Sequence, residues 1–276
     1  MNKNEVEKAR EYLVVKSNDL VLKSRFQFGL VEQKTIAYIC SMIKQQTNTK
    51  EETYILDYEF DILEYSHICG IEKTGKLYDD VKRALKSLKD KSMWITLDNG
   101  EEAAISWIEK LRVAPKSGKV KIRIDSDLAP YLFELKTRYL SYGIKNILSM
   151  KSSFSIRIYE LLKTYLGLQS AITEREKTIV ERANNPIPYE WEIQIDELKR
   201  KLMVDNIISY QKDNNKFKLK VLEPAYKEIN DLTDIAFEYE MLKKSNRVYA
   251  VRFTIRYKDL YERSKAEIKN YKLLND

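Results

Sequence analysis

The sequence has a single histidine, His67, and only two cysteines, Cys40 and Cys69, in 276 residues. A two-histidine metal nuclease centre of the rolling-circle kind therefore cannot be assembled. Structural zinc is equally disfavoured, because two distant cysteines and one histidine fall short of a tetrahedral ligand set. Two cysteines also fit a reduced cytosolic chain better than a disulfide framework. No run approaches the roughly 18 apolar residues that would mark a membrane span. Residues 1–10 are charged and lack the apolar core of a secretory signal. The expectation is a cytoplasmic chain that uses no membrane, no metal and no cofactor.

An apolar content of 43% is ordinary for a globular protein and too high for general disorder. The net charge of +7 suggests a polyanionic partner, and its distribution says more than the total. Residues 1–140 hold 24 Lys+Arg against 22 Asp+Glu, whereas residues 141–276 hold 25 against 20, so the second half is the more basic. Within it, residues 243–258 carry six cations (Lys243, Lys244, Arg247, Arg252, Arg256, Lys258) and no acid. A phosphate-facing surface needs that local absence of carboxylates.

Hydrophobic spacing predicts a short charged helix or arm over 5–15 and an amphipathic helix over 29–44. A β-rich run over 53–56 follows, then a helix over 59–69 and a strong helix over 76–91. Three alternating segments come next, over 93–98, 104–113 and 120–125. Asn99-Gly100 signals a two-residue hairpin, and Ser117-Gly118 a longer turn. The second half repeats this order. It has a leading helix over 154–166, a strand over 189–193 and a short helix from Asp196, read as its N-cap. A polar turn, a second helix from Lys212 and two alternating runs over 235–242 and 248–257 complete it. Residues 169–188 read as an insertion or flexible loop. The expected domains are 1–140 and 141–258, followed by a charged tail over 259–276. Helix, turn, helix and basic hairpin, twice over, is an α+β arrangement of two tandem winged helix-turn-helix domains, whose natural ligand is duplex DNA.

The N-terminal part of a recognition helix is the part that reaches base edges. The candidate DNA contacts are therefore Lys212, Asn214, Asn215, Lys216, Lys218 and Lys220 on the second-half helix. Lysine offers donors to guanine O6 and N7 or to phosphate, and asparagine can pair with adenine. Lys243, Lys244, Arg247, Arg252 and Arg256 of the hairpin are candidate backbone contacts. Lys76, Lys82, Arg83 and Lys86 form a weaker cationic face on the 76–91 helix, diluted by Asp79 and Asp80. Pro224 must either kink the second-half helix or begin a new one near Leu222. The segment Gly70-Ile71-Glu72-Lys73-Thr74-Gly75-Lys76-Leu77 misses a phosphate-binding loop, because Leu77 stands where a magnesium-binding hydroxyl belongs. Trp94, Trp107 and Trp191 read as core, and His67 as a surface or packed residue. No catalytic constellation stands out, so the chain is not expected to be an enzyme.

Several stretches resemble the replication initiators of iteron-type plasmids, in the form found in Gram-positive bacteria. They are Val15-Lys16-Ser17-Asn18-Asp19-Leu20, His67-Ile68-Cys69-Gly70-Ile71 and Ala84-Leu85-Lys86-Ser87-Leu88. The most specific are Ser153-Phe154-Ser155-Ile156-Arg157-Ile158-Tyr159-Glu160-Leu161-Leu162-Lys163 and Val221-Leu222-Glu223-Pro224-Ala225-Tyr226-Lys227-Glu228-Ile229-Asn230. The resemblance implies sequence-specific binding of double-stranded DNA at direct repeats in an origin, with the second domain making the main major-groove contacts. It also implies monomers that start replication in contact with host replication proteins. Homodimers paired through the first domain would bind an operator and repress the initiator's own gene. A winged-helix transcriptional repressor without a replication role is the alternative. One departure is visible at the hairpin tip, where Ser245-Asn246-Arg247 puts asparagine where the family commonly has glycine. Asparagine tolerates φ > 0, so the turn can survive.

Overall fold

Short polar side chains cap the starts of two helices of the first half. In the computed structural model, which describes residues 3–46, 54–69, 71, 76–114, 117–133, 135, 137–173, 181 and 186–275, Ser17 Oγ accepts from the Leu20 amide to start Asn18–Lys23. The Asp61 carboxylate accepts from the Leu63 and Glu64 amides to start Ile62–Ile68. Each cap satisfies backbone donors that a helix start leaves open. Asp61 also corrects the expected helix over 59–69. Tyr58 and Phe60 are buried in alternation with exposed neighbours, and they belong to a strand, Asp57–Asp61.

The chain divides into two compact units, one ending at Leu148 and the other from Ser149 on, which also takes in residues 25–27. In the first unit, helix Lys3–Arg10 leads into strand Leu13–Ser17, which pairs antiparallel with Tyr139–Gly143. Val15 stands opposite Ser141 in that pair, and this unit continues to Leu148. A three-stranded sheet has Lys119–Ile124 between Asp57–Asp61 and Ile108–Ala114. Ser92–Thr96 and Glu102–Ser106 form a hairpin. The expected strand over 104–113 is two strands, interrupted at the buried Trp107. The turn at Asn99-Gly100 is also longer than two residues. The Leu97 amide donates to Glu101 O at 2.8 Å, enclosing Asp98, Asn99 and Gly100. Gly100, at φ +86°, takes the left-handed place that a three-residue turn requires.

Helices Leu30–Gln46 and Leu77–Asp90 supply the centre of this core through Ile36, Ile39, Cys40, Ile43, Leu85 and Leu88. Tyr38 meets Phe60 and Tyr65 edge-on at 5.4 and 5.3 Å. Cys40 and Cys69 are buried and not disulfide-bonded.

In the second unit the leading helix runs over Ser153–Thr173, so residues 169–173 of the expected loop are helical. Residues 174–180 and 182–185 of that loop lie outside the described residues. The sheet places Arg247–Tyr257 between Tyr189–Gln194 and Ile235–Lys244. Its inner face buries Ile193, Phe237, Val251, Phe253 and Ile255. Trp191 stacks between Tyr165 and Phe253. The family-like motif on the leading helix has a structural use: Tyr159 Oη donates to Asp234 at 2.8 Å, and Lys163 Nζ bonds the same carboxylate. Burial alone would raise the Asp234 pKa; the neighbouring Lys163 and the Tyr159 hydroxyl hold it below the usual carboxylate range. The expected tail is largely helix Leu260–Asn275, docked through buried Ala266 and Asn270.

Candidate nucleic-acid interface

The second unit builds its candidate recognition element in three pieces. Helix Ile195–Lys201 begins one residue before Asp196, which lies in the first turn rather than at the cap. The helix ends at Met203, left-handed at φ +54°, with the Val204 amide donating to Lys199 O and the Met203 amide to Arg200 O. Glycine usually fills such a stop, so a methionine there carries no signal in the sequence. One turn of helix, Ile208–Lys212, follows. Asp213 then caps the next helix, its Oδ1 accepting from the Asn215 and Lys216 amides at 2.8 and 3.2 Å. The helix thus starts at Asn214, after Lys212.

From Asn214 the chain is helical to Leu232, and Pro224 neither breaks the run nor starts a new one. The segment Lys218–Leu222 widens into a π turn, in which the Glu223 amide donates to Lys218 O, five residues back. Proline has no amide hydrogen and crowds the carbonyl four residues before it, and a wider turn accommodates both defects. The inward face is Phe217, Val221, Leu222, Ala225, Ile229 and Leu232. The outward face carries Asn215, Lys216, Leu219, Lys220 and Lys227.

Of the expected contacts, Lys216 and Lys220 are exposed and make no ion pair among the described residues. Lys212 is likewise exposed. Lys218 lies 3.5 Å from Glu223, a carboxylate that also accepts from Tyr239 Oη at 2.6 Å. Asn214 is committed elsewhere: its Oδ1 accepts from Lys199 Nζ at 2.7 Å. Burial lowers the Lys199 pKa, against the pull of Asp196. Lys199 therefore acts as a strut between the two helices. Sequence reasoning missed it because nothing about a lysine in a short basic helix marks it as buried.

An open groove of about 1190 Å³ separates this helix from the hairpin. Lys199, Lys212, Lys218, Lys243 and Arg247 line it, together with Asp196, Glu223, Glu238 and Glu240. The hairpin tip is a two-residue turn in which Lys244 faces Arg247, and Ser245 and Asn246 both take positive φ, +48° and +63°. This is the twist-matched turn that favours residues tolerating the left-handed region, and asparagine serves in place of glycine. Lys243, Lys244 and Arg247 are exposed there, again without an ion pair among the described residues.

The rest of the acid-free stretch is not an acid-free surface. Arg252 faces Glu240 on one neighbouring strand and Glu192 on the other, and its Nη2 lies 3.1 Å from Glu192. Arg256 is gripped at both nitrogens by Glu262 at 2.6 Å, which holds that carboxyl down to about 2. Lys258 is 4% exposed and donates to the carbonyls of Asn230 and Thr233. Sheet pairing and the last helix brought acids to cations that are acid-free only along the chain.

In the first unit, Lys82, Arg83 and Lys86 are exposed on Leu77–Asp90, and Lys76 stands at its N-cap position. Arg83 pairs with Asp80 at 3.4 Å, and Lys86 pairs with Asp90. Asp79 and Asp80 occupy the first helical turn. The sheet cations are matched as well: Lys119 and Lys121 meet Glu59 at 2.8 and 3.0 Å, and Arg123 meets Asp57 at 2.6 Å. Trp94, expected in the core, is 43% exposed on its strand. The glycine-rich segment over 70–77 lies mostly outside the described residues. No cluster of three metal-binding side chains occurs among the described residues, and no helix there is long and apolar enough to cross a membrane.

Residues 13–163 match the family described as "Initiator Replication protein, WH1", and residues 194–255 match "Initiator Rep protein, WH2". A "Replication initiation protein" of Escherichia coli is 25% identical over 232 residues, 82% of this chain and 64% of that protein, so just under two thirds of the relative is represented. Among solved structures, the Pi initiator protein in complex with iteron DNA superposes with a TM-score of 0.67 at 17% identity, covering 90% of this chain and 98% of the other. Domains 2 and 3 of RctB give 0.50 at 9% identity, over 83% and 82%. At those identities the likeness is one of fold, two tandem winged helices.

Proposed function

Because this chain belongs to the initiator replication protein family, we propose that it binds direct repeats in a plasmid origin and starts replication there, without catalysing a chemical step itself. The observation that carries the reading is the second unit's pairing of an uncompensated cationic helix face with an uncompensated hairpin tip. Lys216 and Lys220 are exposed on the helix, and Lys243, Lys244 and Arg247 are exposed at the hairpin tip. The groove between the two elements is lined by Lys212 and Lys218 on one side and by Lys243 and Arg247 on the other. A helix in the major groove and a basic hairpin on the flanking phosphates would use both together. The fold shared with an initiator bound to iteron DNA supports the same placement. The first unit adds weaker contacts and pairs two copies when the protein represses its own gene at an operator. Host replication proteins meet the bound monomer, in the cytoplasm.

The test is fluorescence anisotropy with duplexes cut from the DNA beside the gene, set against scrambled duplexes across a salt series. Tighter binding to direct repeats of about 20 base pairs, roughly two helical turns, is expected. The log of affinity should fall linearly with the log of salt concentration. Equal affinity for repeat and scrambled DNA at every salt concentration would sink the proposal. A replicon-less plasmid carrying the gene and its flanks should replicate; operator binding without replication would point to a repressor. Nicking of supercoiled origin DNA in Mg²⁺ would overturn the non-enzymatic assignment.

A further inference from the structure

Leu219 is an anomaly on the recognition helix. It is 56% exposed, while the other outward side chains from Asn215 to Lys227 are polar or charged. A single exposed leucine is ordinary on a protein surface, so exposure alone says nothing. Its location is more informative. Leu219 is the sixth residue of the helix that starts at Asn214, one turn after Asn215 and Lys216 and one turn before Glu223. That is the N-terminal half of the helix, the part that enters a major groove.

The neighbouring side chains limit what Leu219 can do there. Lys216 and Lys220 can donate to phosphate or to guanine, and Asn215 can pair with adenine. Glu223 accepts from Tyr239 and lies beside Lys218, so its carboxylate is already engaged. Leucine has no donor or acceptor. The only feature of a base edge in the major groove that rewards an apolar side chain is the C5-methyl group of thymine.

We propose that Leu219 is a specificity-determining residue that reads a thymine methyl within each repeat. This rests on the DNA-binding reading above. The methyl group and the exposed leucine would leave water together, and any other base would leave the leucine against a polar edge. Lys216 and Lys220 carry only donors, which a thymine methyl does not engage, so discrimination by that methyl falls to Leu219.

Replacing thymine by deoxyuridine removes only that methyl group. Each thymine of a repeat duplex is replaced in turn, and anisotropy is measured with the wild-type chain and with Leu219→Ala. The wild type should lose about four-fold at one thymine, the value of one buried methylene-sized group. Leu219→Ala should bind the unmodified repeat about as weakly as the wild type binds that deoxyuridine duplex, and should be indifferent to the same replacement. Alanine favours helix and position 219 is exposed, so the fold is retained; matching melting curves establish this. If both proteins prefer the repeats but respond alike to every deoxyuridine, this inference fails and the DNA-binding reading stands. If the wild type shows no preference for the repeats at all, both fall together.

Discussion

The two units carry similar numbers of cations on their candidate recognition helices, yet they use them differently. On Leu77–Asp90 two cations are matched within the helix itself, Arg83 by Asp80 and Lys86 by Asp90, and the first turn bears two aspartates. On the helix starting at Asn214, Lys216 and Lys220 have no such partner among the described residues, and the capping carboxylate of Asp213 is turned to the helix's own amides. The hairpins repeat the contrast. The first unit's sheet ties Lys119, Lys121 and Arg123 to Glu59 and Asp57, whereas the second unit leaves Lys243, Lys244 and Arg247 unmatched at the tip. Counting cations along a sequence does not separate these cases. A cation already paired contributes little counterion release on binding, because its charge is partly neutralised beforehand.

Paired alanine substitutions, made in each unit separately, should separate the two helices most widely. Lys216→Ala with Lys220→Ala should weaken binding to the repeats by about 10- to 100-fold and lower the salt slope by about 2. Arg83→Ala with Lys86→Ala, equal in charge and both paired within the helix, should cost only a few-fold. Equal losses in a salt-resolved anisotropy series would mean that pairing on the helix surface does not set the contribution. A smaller effect of opposite sign sharpens the same point. Asp79→Asn with Asp80→Asn frees Arg83 and removes two negative charges from the helix's first turn, so affinity should rise on the order of three-fold. The melting temperature should fall slightly, because acids in a first turn stabilise the helix. Unchanged affinity would count against a DNA contact for this helix.

Much of the fold was legible because the apolar period is strong. Leu77, Val81, Leu85 and Leu88 mark a helix face that the structure buries, and Phe237, Phe253 and Ile255 mark a strand face. The misses have local causes. Asp61 ends a strand whose Phe60 also fits a helical face. Met203 holds a left-handed stop without glycine, and the π turn before Pro224 absorbs a defect that reads as a break. At the candidate site, the residue types were legible but their partners were not. Arg252, Arg256, Lys258 and Asn214 look like free polar groups in sequence, and cross-strand or inter-helix neighbours claim all four.

Lys258 gives the comparison its smallest effect on DNA binding and a separate signature. Burial pushes its pKa down to about 8, against the pull of Glu262 and Asp234. In the unfolded chain the group titrates near the ordinary lysine value of about 10.4, so between these values the unfolded state binds the extra proton. Stability contributed by this site therefore rises with pH across that window. Lys258→Met removes the titration, so the wild-type advantage in urea denaturation should widen as the pH is raised from 8 towards 10. The salt slope of DNA binding should stay unchanged, since the ammonium faces the carbonyls of Asn230 and Thr233 rather than solvent. A slope lower by about 1 would make Lys258 a phosphate contact after all, and a wild-type advantage that narrows with pH would mean that burial does not govern this lysine.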